Sequence, residues 1–440
     1  MGYIDSTVTA LALPAIRESL GATQAQAEWV GAAYLLALSA LILSGGALGD
    51  RFGTLRLFRS GIIGFMAASV LCAIAPSPEL LIAARALQGI AAAAMVPGSM
   101  AIIAKAYPRE TRGRALGLWS AAATATTIAG PMLGGLILSL LGPHAWRLIF
   151  ALNLPFGAGA LWLLARHARN DAGRPGTPVD LPGAALATLG LGALSAGLSF
   201  GSLWLIALAA LALAAFLRVQ TTSPAPMLPL SMFRNTAFAG ANAATLLLYF
   251  GVMGLNFYLP TVALTAWGLK PWQMTLAILP VSALIAGVSP WSGRMADRIG
   301  PGVMMAAGSS LVAAAQLLMA IFAGTGPFLT HMFPLMVLSG LGMSLVVAPL
   351  TVAVMAHAGA GQMGAASGIN NAMARIAMLV GIALMGRLAR TAYADFGARL
   401  AGTAHVAASS AAFQRLALAA AVSSALAALI AGLWVRRSPS

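Results

Sequence analysis

The chain has 440 residues, 60% of them hydrophobic and only 8% charged, with 25 Lys and Arg against 10 Asp and Glu; an ordinary soluble domain carries roughly 25% charged residues. With a mean hydropathy of +0.89 there is too little polar surface to meet water, so a soluble protein of this size is excluded. The expected class is an all-α polytopic membrane protein, since the short alternating segments of a β-barrel are absent from the sequence.

Apolar runs between charged or Pro/Gly breaks predict fourteen spans, at 1–16, 27–48, 58–76, 80–104, 115–140, 147–165, 182–199, 202–217, 236–260, 272–291, 302–323, 328–355, 366–386 and 412–435. Polar connectors at 166–180 and 218–235 set spans seven and eight apart. The expected organisation is a six-helix bundle over 1–165, cytoplasmic linkers with two inserted helices over 166–235, and a second six-helix bundle over 236–440. An internal repeat supports this. Gly46-Ala47-Leu48-Gly49-Asp50-Arg51-Phe52-Gly53 follows span two, and Gly293-Arg294-Met295-Ala296-Asp297-Arg298-Ile299-Gly300 follows span ten, 247 residues later. Parallel six-helix halves are one of the standard plans for membrane transporters.

The surplus of basic residues, +15 net, would suggest nucleic acid in a soluble protein, but in this chain it reads as topology. If the loop after span two is cytoplasmic, sixteen of the 25 basic residues fall on that side and seven on the other, while Arg85 and Arg375 lie inside spans. The bias places both termini in the cytoplasm. No cleavable signal peptide is expected. The single Cys72 lies in an apolar run and reads as a small buried hydrophobe. The five His residues are scattered without metal-ligand spacing, and there is no phosphate-binding Gly-Lys loop.

Asp5 is read as the one acidic residue within any span. A carboxylate in hydrocarbon costs several kcal/mol unless it faces a cavity, finds a partner or takes up a proton, so it is a candidate proton carrier; the alternative is a residue at a frayed N-terminus touching cytosolic water. Arg85, in Leu81-Ile82-Ala83-Ala84-Arg85-Ala86-Leu87-Gln88-Gly89 of span four, keeps its charge when buried and needs an acid, carbonyls or substrate, the alternative being that it snorkels to the outer interface. Gly130-Pro131-Met132-Leu133-Gly134-Gly135 in span five combines a helix-kinking proline with small residues that let another helix lie close. In the two repeated connectors, paired glycines bring helix ends together, and Asp50 is placed to accept from Arg112 or from helix N-terminal N–H groups.

Together with Asp5-Ser6-Thr7-Val8-Thr9-Ala10-Leu11-Ala12-Leu13-Pro14, these motifs resemble the ordered motifs of the major facilitator superfamily. Trp146-Arg147-Leu148-Ile149-Phe150-Ala151-Leu152-Asn153-Leu154-Pro155 and Met227-Leu228-Pro229-Leu230-Ser231-Met232-Phe233-Arg234-Asn235 further resemble its 14-spanner drug:proton antiporter branch. The resemblance covers essentially the whole chain. It implies proton coupling through Asp5 and Arg85, and a cytoplasmic gate around Gly46, Asp50, Arg51, Gly53 and Arg112 with its copy at Gly293, Asp297, Arg298 and Gly300. Asp50 would meet Arg112 and the start of span thirteen. The antiporter bend would fall at Gly130, Pro131, Gly134 and Gly135. Thr126 departs from the pattern where a further Gly is usual.

A second departure is at the start. Met1 to Ile16 reaches only about 24 Å at 1.5 Å per residue, against the roughly 30 Å of hydrocarbon, so span one reads as lacking its cytoplasmic half. An upstream start codon or a shortened form would account for it, and N-terminal sequencing of the native protein separates the two.

Aligning Pro14 with Pro260 puts Gly251 opposite Asp5, and span twelve has no charge at the level of Arg85, so coupling is expected in the first half alone. Tyr34, Gln88, Trp119, Tyr249, Asn256 and Phe257 are the candidate substrate cavity, aromatic and adaptable enough for lipophilic ligands. Arg375 is placed either at the cytoplasmic mouth or snorkelling. The expected function is proton-coupled efflux of lipophilic or cationic drugs by alternating access in a bacterial inner membrane, with a dedicated exporter of one metabolite or antibiotic as the alternative. An enzyme, a cofactor and a nucleic-acid partner are not expected. The expected partners are small lipophilic molecules, protons and membrane lipid, the chain is expected to act as a monomer, and a periplasmic adaptor is left open.

Overall fold

The computed structural model describes residues 2–106, 130, 132–168, 180–224, 226–356, 363–396 and 402–435. Helices α1 (Gly2–Leu20), α2 (Gln24–Phe52), α3 (Thr54–Ile74) and α4 (Pro78–Ala106) come first. They are followed by α5 (Met132–Leu141), α6 (Trp146–Ala151), α7 (Asn153–His167), α8 (Leu181–Phe200) and α9 (Leu203–Thr222). The remainder comprises α10 (Thr236–Thr265), α11 (Pro271–Ile299), α12 (Pro301–Phe322), α13 (Phe328–Ala356), α14 (Met363–Ala394) and α15 (Gly402–Trp434). Among the described residues there is no β-strand, and the all-α expectation is borne out. Among the described residues twelve segments are long and apolar enough to cross a membrane. They correspond to twelve of the fourteen predicted spans. The other two are α1, which carries Asp5, Arg17 and Glu18, and span five, which lies largely outside the described residues.

The predicted end of span one at Ile16 is corrected. The helix continues through Arg17 and Glu18 to Leu20, which gives 19 residues and about 28 Å of axis. A charged last turn is compatible with a helix C-terminus, where a cation meets the free carbonyls. Gly21 then turns the chain at φ +63°, and Ala22 N–H reaches back to the Arg17 carbonyl at 3.0 Å, a Schellman-type stop. Thr23 and Gln26 form a reciprocal capping box that starts α2. Predicted span six is one 25-residue segment in which α6 and α7 meet at Leu152, whose backbone stays helical (φ −56°, ψ −27°) and whose N–H bonds the Leu148 carbonyl at 3.0 Å. Pro155 lies in the first turn of α7.

Contacts divide the chain into two compact units, Met1–Pro229 and Leu230–Ser440. In the first, α4 packs on α2 and α3, α1 lies against α2 and α6, and α3 against α6 and α7. The inserted pair α8 and α9 belongs to this unit, with α8 against α2. Its base is a buried clamp. Asp180 caps α8 through Gly183 N–H (2.8 Å) and accepts from Gln220 Nε2 of α9 (2.6 Å), while Gln220 Oε1 accepts from Leu228 N–H (2.8 Å). In the second unit α12 packs on α13 and α15, and α10 on α14 and α15.

The repeat read from the connectors is visible in the backbone. Gly53 (φ 98°) and Gly300 (φ 100°) each end one helix and start the next, in a region of φ that side-chain-bearing residues rarely enter. Their N–H groups bond Gly49 and Ala296 carbonyls at 3.0 and 2.9 Å. The same 247-residue offset relates a helix crossing. A Cβ on Gly61 would lie 3.1 Å from Met95 N, and one on Gly308 would lie 2.6 Å from the Gly342 carbonyl oxygen, so α3–α4 and α12–α13 approach at equivalent glycines.

Candidate functional site

The first unit encloses a charged cluster with no aqueous exposure. Asp5 and Arg85 are each 1% exposed and form an ion pair through Asp5 Oδ2 and Arg85 Nη1. An arginine there needs every donor served, since each unmet donor in an apolar medium costs several kcal/mol. Arg85 Nε donates to the Val30 carbonyl of α2 at 3.0 Å, and Nη1 also donates to Gln88 Oε1, one turn along α4, at 2.7 Å. The guanidinium lies over the Tyr34 ring at 4.6 Å and the Phe150 ring at 5.7 Å, two cation–π faces that substitute for water. Gly89 makes this possible. A Cβ there would run into the Tyr34 carbonyl and sit 2.7 Å from Ala37 Cβ, so glycine lets α2 close on α4.

The second carboxylate oxygen has its own partners. Asp5 Oδ1 accepts from Asn153 Nδ2 of α7 at 3.1 Å and from Gln88 Nε2 at 3.3 Å. Both amides also donate to Ser69 Oγ of α3, at 3.2 and 2.7 Å, and the Ser69 hydroxyl donates to the Phe65 carbonyl at 2.7 Å. Cys72, buried as expected, donates its thiol to Gln88 Oε1 at 3.4 Å. The carboxylate of α1 thus takes its bonds from α4 and α7, while Val30 of α2 and Ser69 of α3 hold those partners in place. The carboxylate, the guanidinium and the two amides form one connected hydrogen-bond network.

Sequence reasoning reached Asp5, Arg85 and Gln88 but missed Ser69 and Asn153. Ser69 sits in an apolar run that gives no signal. Asn153 does, as an amide in the middle of a predicted span, inside the stretch quoted for the branch resemblance. The reading of Asp5 as the sole acid within the spans is corrected: Glu28, inside predicted span two, is 1% exposed and accepts from Gln24 Nε2 at 3.4 Å. It escaped notice because it lies near the helix start, where charge is ordinary.

The remaining predicted residues are distributed as follows. Gly53 and Gly300 form the connector turns described above, and Gly293 of α11 faces Ala348, whose Cβ would be 3.3 Å from an added Cβ. Arg51 and Arg298 are exposed, with Arg51 over the Phe52 ring at 5.3 Å. The backbone of Gly46, Asp50 and Asp297 is helical, but the side chains of Asp50 and Asp297, together with all of Arg112, Trp119, Thr126 and Pro131, lie outside the described residues. Gly130 and Gly135 are buried, and Gly134 lies against Val8 of α1, less than one turn beyond Asp5. Of the candidate cavity, Tyr34 and Gln88 belong to the enclosed charge cluster. Phe257 is buried against Tyr258, Tyr249 is half-buried and Asn256 is exposed. Arg375 is half-buried and donates to Asn371 Oδ1 at 3.1 Å.

A helical membrane protein crossing the bilayer many times, with two repeat-related units and an enclosed acid–guanidinium pair in one of them, has the build of a secondary transporter. The family model of the Major Facilitator Superfamily matches residues 1–382. The chain belongs to that superfamily. It is 33% identical over 401 residues to the "Multidrug resistance protein Stp" of Mycobacterium tuberculosis, covering 88% of this chain and 73% of the relative. It is 32% identical over 398 residues to the "Methylenomycin A resistance protein" of Streptomyces coelicolor, covering 88% and 82%. Among solved structures, a bacterial homolog to the human lysosomal transporter Spinster superposes with a TM-score of 0.69 at 17% identity, over 100% of this chain and 96% of that one; at that identity the likeness shows the fold alone.

Proposed function

We propose that the chain is a proton-coupled exporter of lipophilic, including cationic, compounds across the bacterial inner membrane, with both termini in the cytoplasm. The observation that carries the reading is the buried Asp5–Arg85 pair. Ionised Asp5 and Arg85 together are neutral, and protonating Asp5 leaves the guanidinium without its counter-charge, so the two protonation states favour different conformations. Substrate and proton then couple by their differential affinity for the inward-open and outward-open forms. The bundles 1–165 and 236–440 would alternate about the cavity, with the inserted pair of 166–235 outside the transport path. The repeated Asp50-Arg51 and Asp297-Arg298 elements would gate the cytoplasmic side, and the Gly130-Pro131 bend would set the antiport mode. One proton per cycle follows from one coupling acid, with poor handling of dications.

Purified protein in proteoliposomes under an imposed pH gradient tests this: the gradient should drive dye uptake or efflux, and Asp5→Asn should abolish the drive. Efflux by Asp5→Asn that still responds to the gradient as wild type does would sink the mechanism. The names of the relatives, one multidrug and one for a single antibiotic, keep a dedicated exporter as the second reading. Transport of several unrelated dyes favours the first, and of one compound the second.

A further inference from the structure

We propose that Asn153 is a positioning residue that reads the charge of Asp5 and passes it to the joint between α6 and α7; the inference rests on Asp5 as the coupling acid. Two amides serve Asp5 Oδ1, and they differ in freedom. Gln88 is engaged at both ends, its Nε2 donating to Asp5 and Ser69 and its Oε1 accepting from Arg85 and Cys72. It sits three residues from Arg85 on the same helix and moves with it. Asn153 comes from a different element, and both hydrogen bonds described for it run from Nδ2, to Asp5 and to Ser69.

The place of Asn153 in its span is the second part. It is the first residue of α7, directly after the joint at Leu152 and two residues before Pro155. Proline brings no N–H, so the backbone bond that would cross this joint from residue 155 is missing, and the span is softest there. Its two ends are tied down. Arg147 Nη2 donates to the Ala75 carbonyl at the end of α3 at 3.0 Å, and at the other end the Leu164 carbonyl accepts from Arg59 Nη2 of α3 at 2.7 Å. A span anchored at both ends and weak in the middle can respond at one point, and that point touches the carboxylate.

The titratable and charged groups described around the Asp5–Arg85 pair are Cys72 from α3 and Tyr34 from α2, while α6 and α7 contribute the Phe150 ring and the neutral amide of Asn153. When Asp5 is ionised, Asn153 makes a charge-assisted bond to it. When a proton binds the carboxylate, Oδ1 is a weaker acceptor or itself a donor, and the Asn153 carboxamide must release it or turn its own oxygen to accept. Either change alters the hold on the joint.

Hydrogen–deuterium exchange of the full chain in nanodiscs, at acidic and alkaline pH and corrected for intrinsic exchange, reads the joint without needing a substrate. In wild type, peptides covering 148–158 should exchange about tenfold faster when Asp5 is protonated, the size of one charge-assisted hydrogen bond. Asn153→Leu should remove the pH difference, Asn153→Gln should restore part of it, and Asp5→Asn should also lack it. If Asn153→Leu does not fold, Asn153→Ser carries the same expectation. A merely structural asparagine would instead raise exchange equally at both pH values. That outcome, an unchanged pH difference in Asn153→Leu, or no difference in wild type overturns the inference while gradient-driven transport by the wild type and its loss in Asp5→Asn leave the coupling role of Asp5 standing.

Discussion

The first unit holds a charged junction and the second a neutral one laid out on the same plan. The offset that superimposes Gly46–Gly53 on Gly293–Gly300 also brings Ser69 onto Gln316 and Arg85 onto Met332. In the first unit Ser69 of α3 bonds Asn153 of α7. In the second, Ser424 of α15 donates to Gln316 Oε1 of α12 at 2.7 Å. The bond tying the third helix of each repeat to its last is therefore common scaffold. The ion pair is not. Met332, 2% exposed, replaces the arginine, and Gly251 stands where the proline alignment puts Asp5. A Cβ on Gly251 would lie 2.8 Å from the Ala420 carbonyl oxygen and 3.2 Å from Ser424 Oγ. The second unit has closed its helices over the place where an acid would go, so the coupling role proposed for Asp5 has no counterpart at Gly251.

The largest effect should come from breaking the charged junction. Asp5→Ala leaves Arg85 buried without a counter-charge and should cost about 3–5 kcal/mol, read as a fall in thermal unfolding temperature in detergent. Asp5→Ala combined with Arg85→Met copies the neutral pattern of the second unit and should recover most of that loss while remaining without gradient-driven transport. A double variant as unstable as the single would mean that the pair is not energetically separable from its scaffold, and the comparison would fail. Next in size is Gly251→Ala. Its methyl group meets backbone that cannot move far, so a loss of about 1–3 kcal/mol is expected, with the gradient dependence of transport unchanged. Altered coupling in Gly251→Ala would place part of the mechanism in the second unit.

The helices and the charged pair were legible because each rests on a local signal. Hydrophobic runs of span length mark helices wherever lipid is the solvent, and Asp5 and Arg85 stand out as charges against long uncharged stretches. Partners were harder. Ser69 is a small polar residue that any apolar helix tolerates by bonding its own backbone, as it also does here to Phe65, so only the tertiary placement gives it a second role. Asn153 was visible as an amide in hydrocarbon, but its partner, 148 residues away, depends on how α1 and α7 pack. Glu28 and the end of α1 were misjudged for one reason: near the membrane boundary, charged side chains sit within helices that continue past them, so a charge is a poor marker of a helix end. The inserted pair shows the same limit. Its sequence predicts two helices, whereas the Asp180–Gln220 clamp that fixes them to the following segment joins residues 40 apart that no pattern links.

The smallest effect tests the part that the two units share most closely. Gly53 and Gly300 have nearly the same backbone conformation, φ 98° and ψ 124° against φ 100° and ψ 140°, and each caps two helices at once. Any L side chain at that φ is strained whatever space surrounds it, so Gly53→Ala and Gly300→Ala should each cost about 1–2 kcal/mol. Because the strain is local to the turn, the two losses should agree with each other and add in the double variant, the sites being in different units. Thermal unfolding of the two single variants and the double measures both points. Unequal losses would show that the surroundings of the connectors differ energetically despite their common backbone. Equal and additive losses would show that the repeat preserves the turn itself, and that the two units diverge at the buried junctions rather than at the connectors.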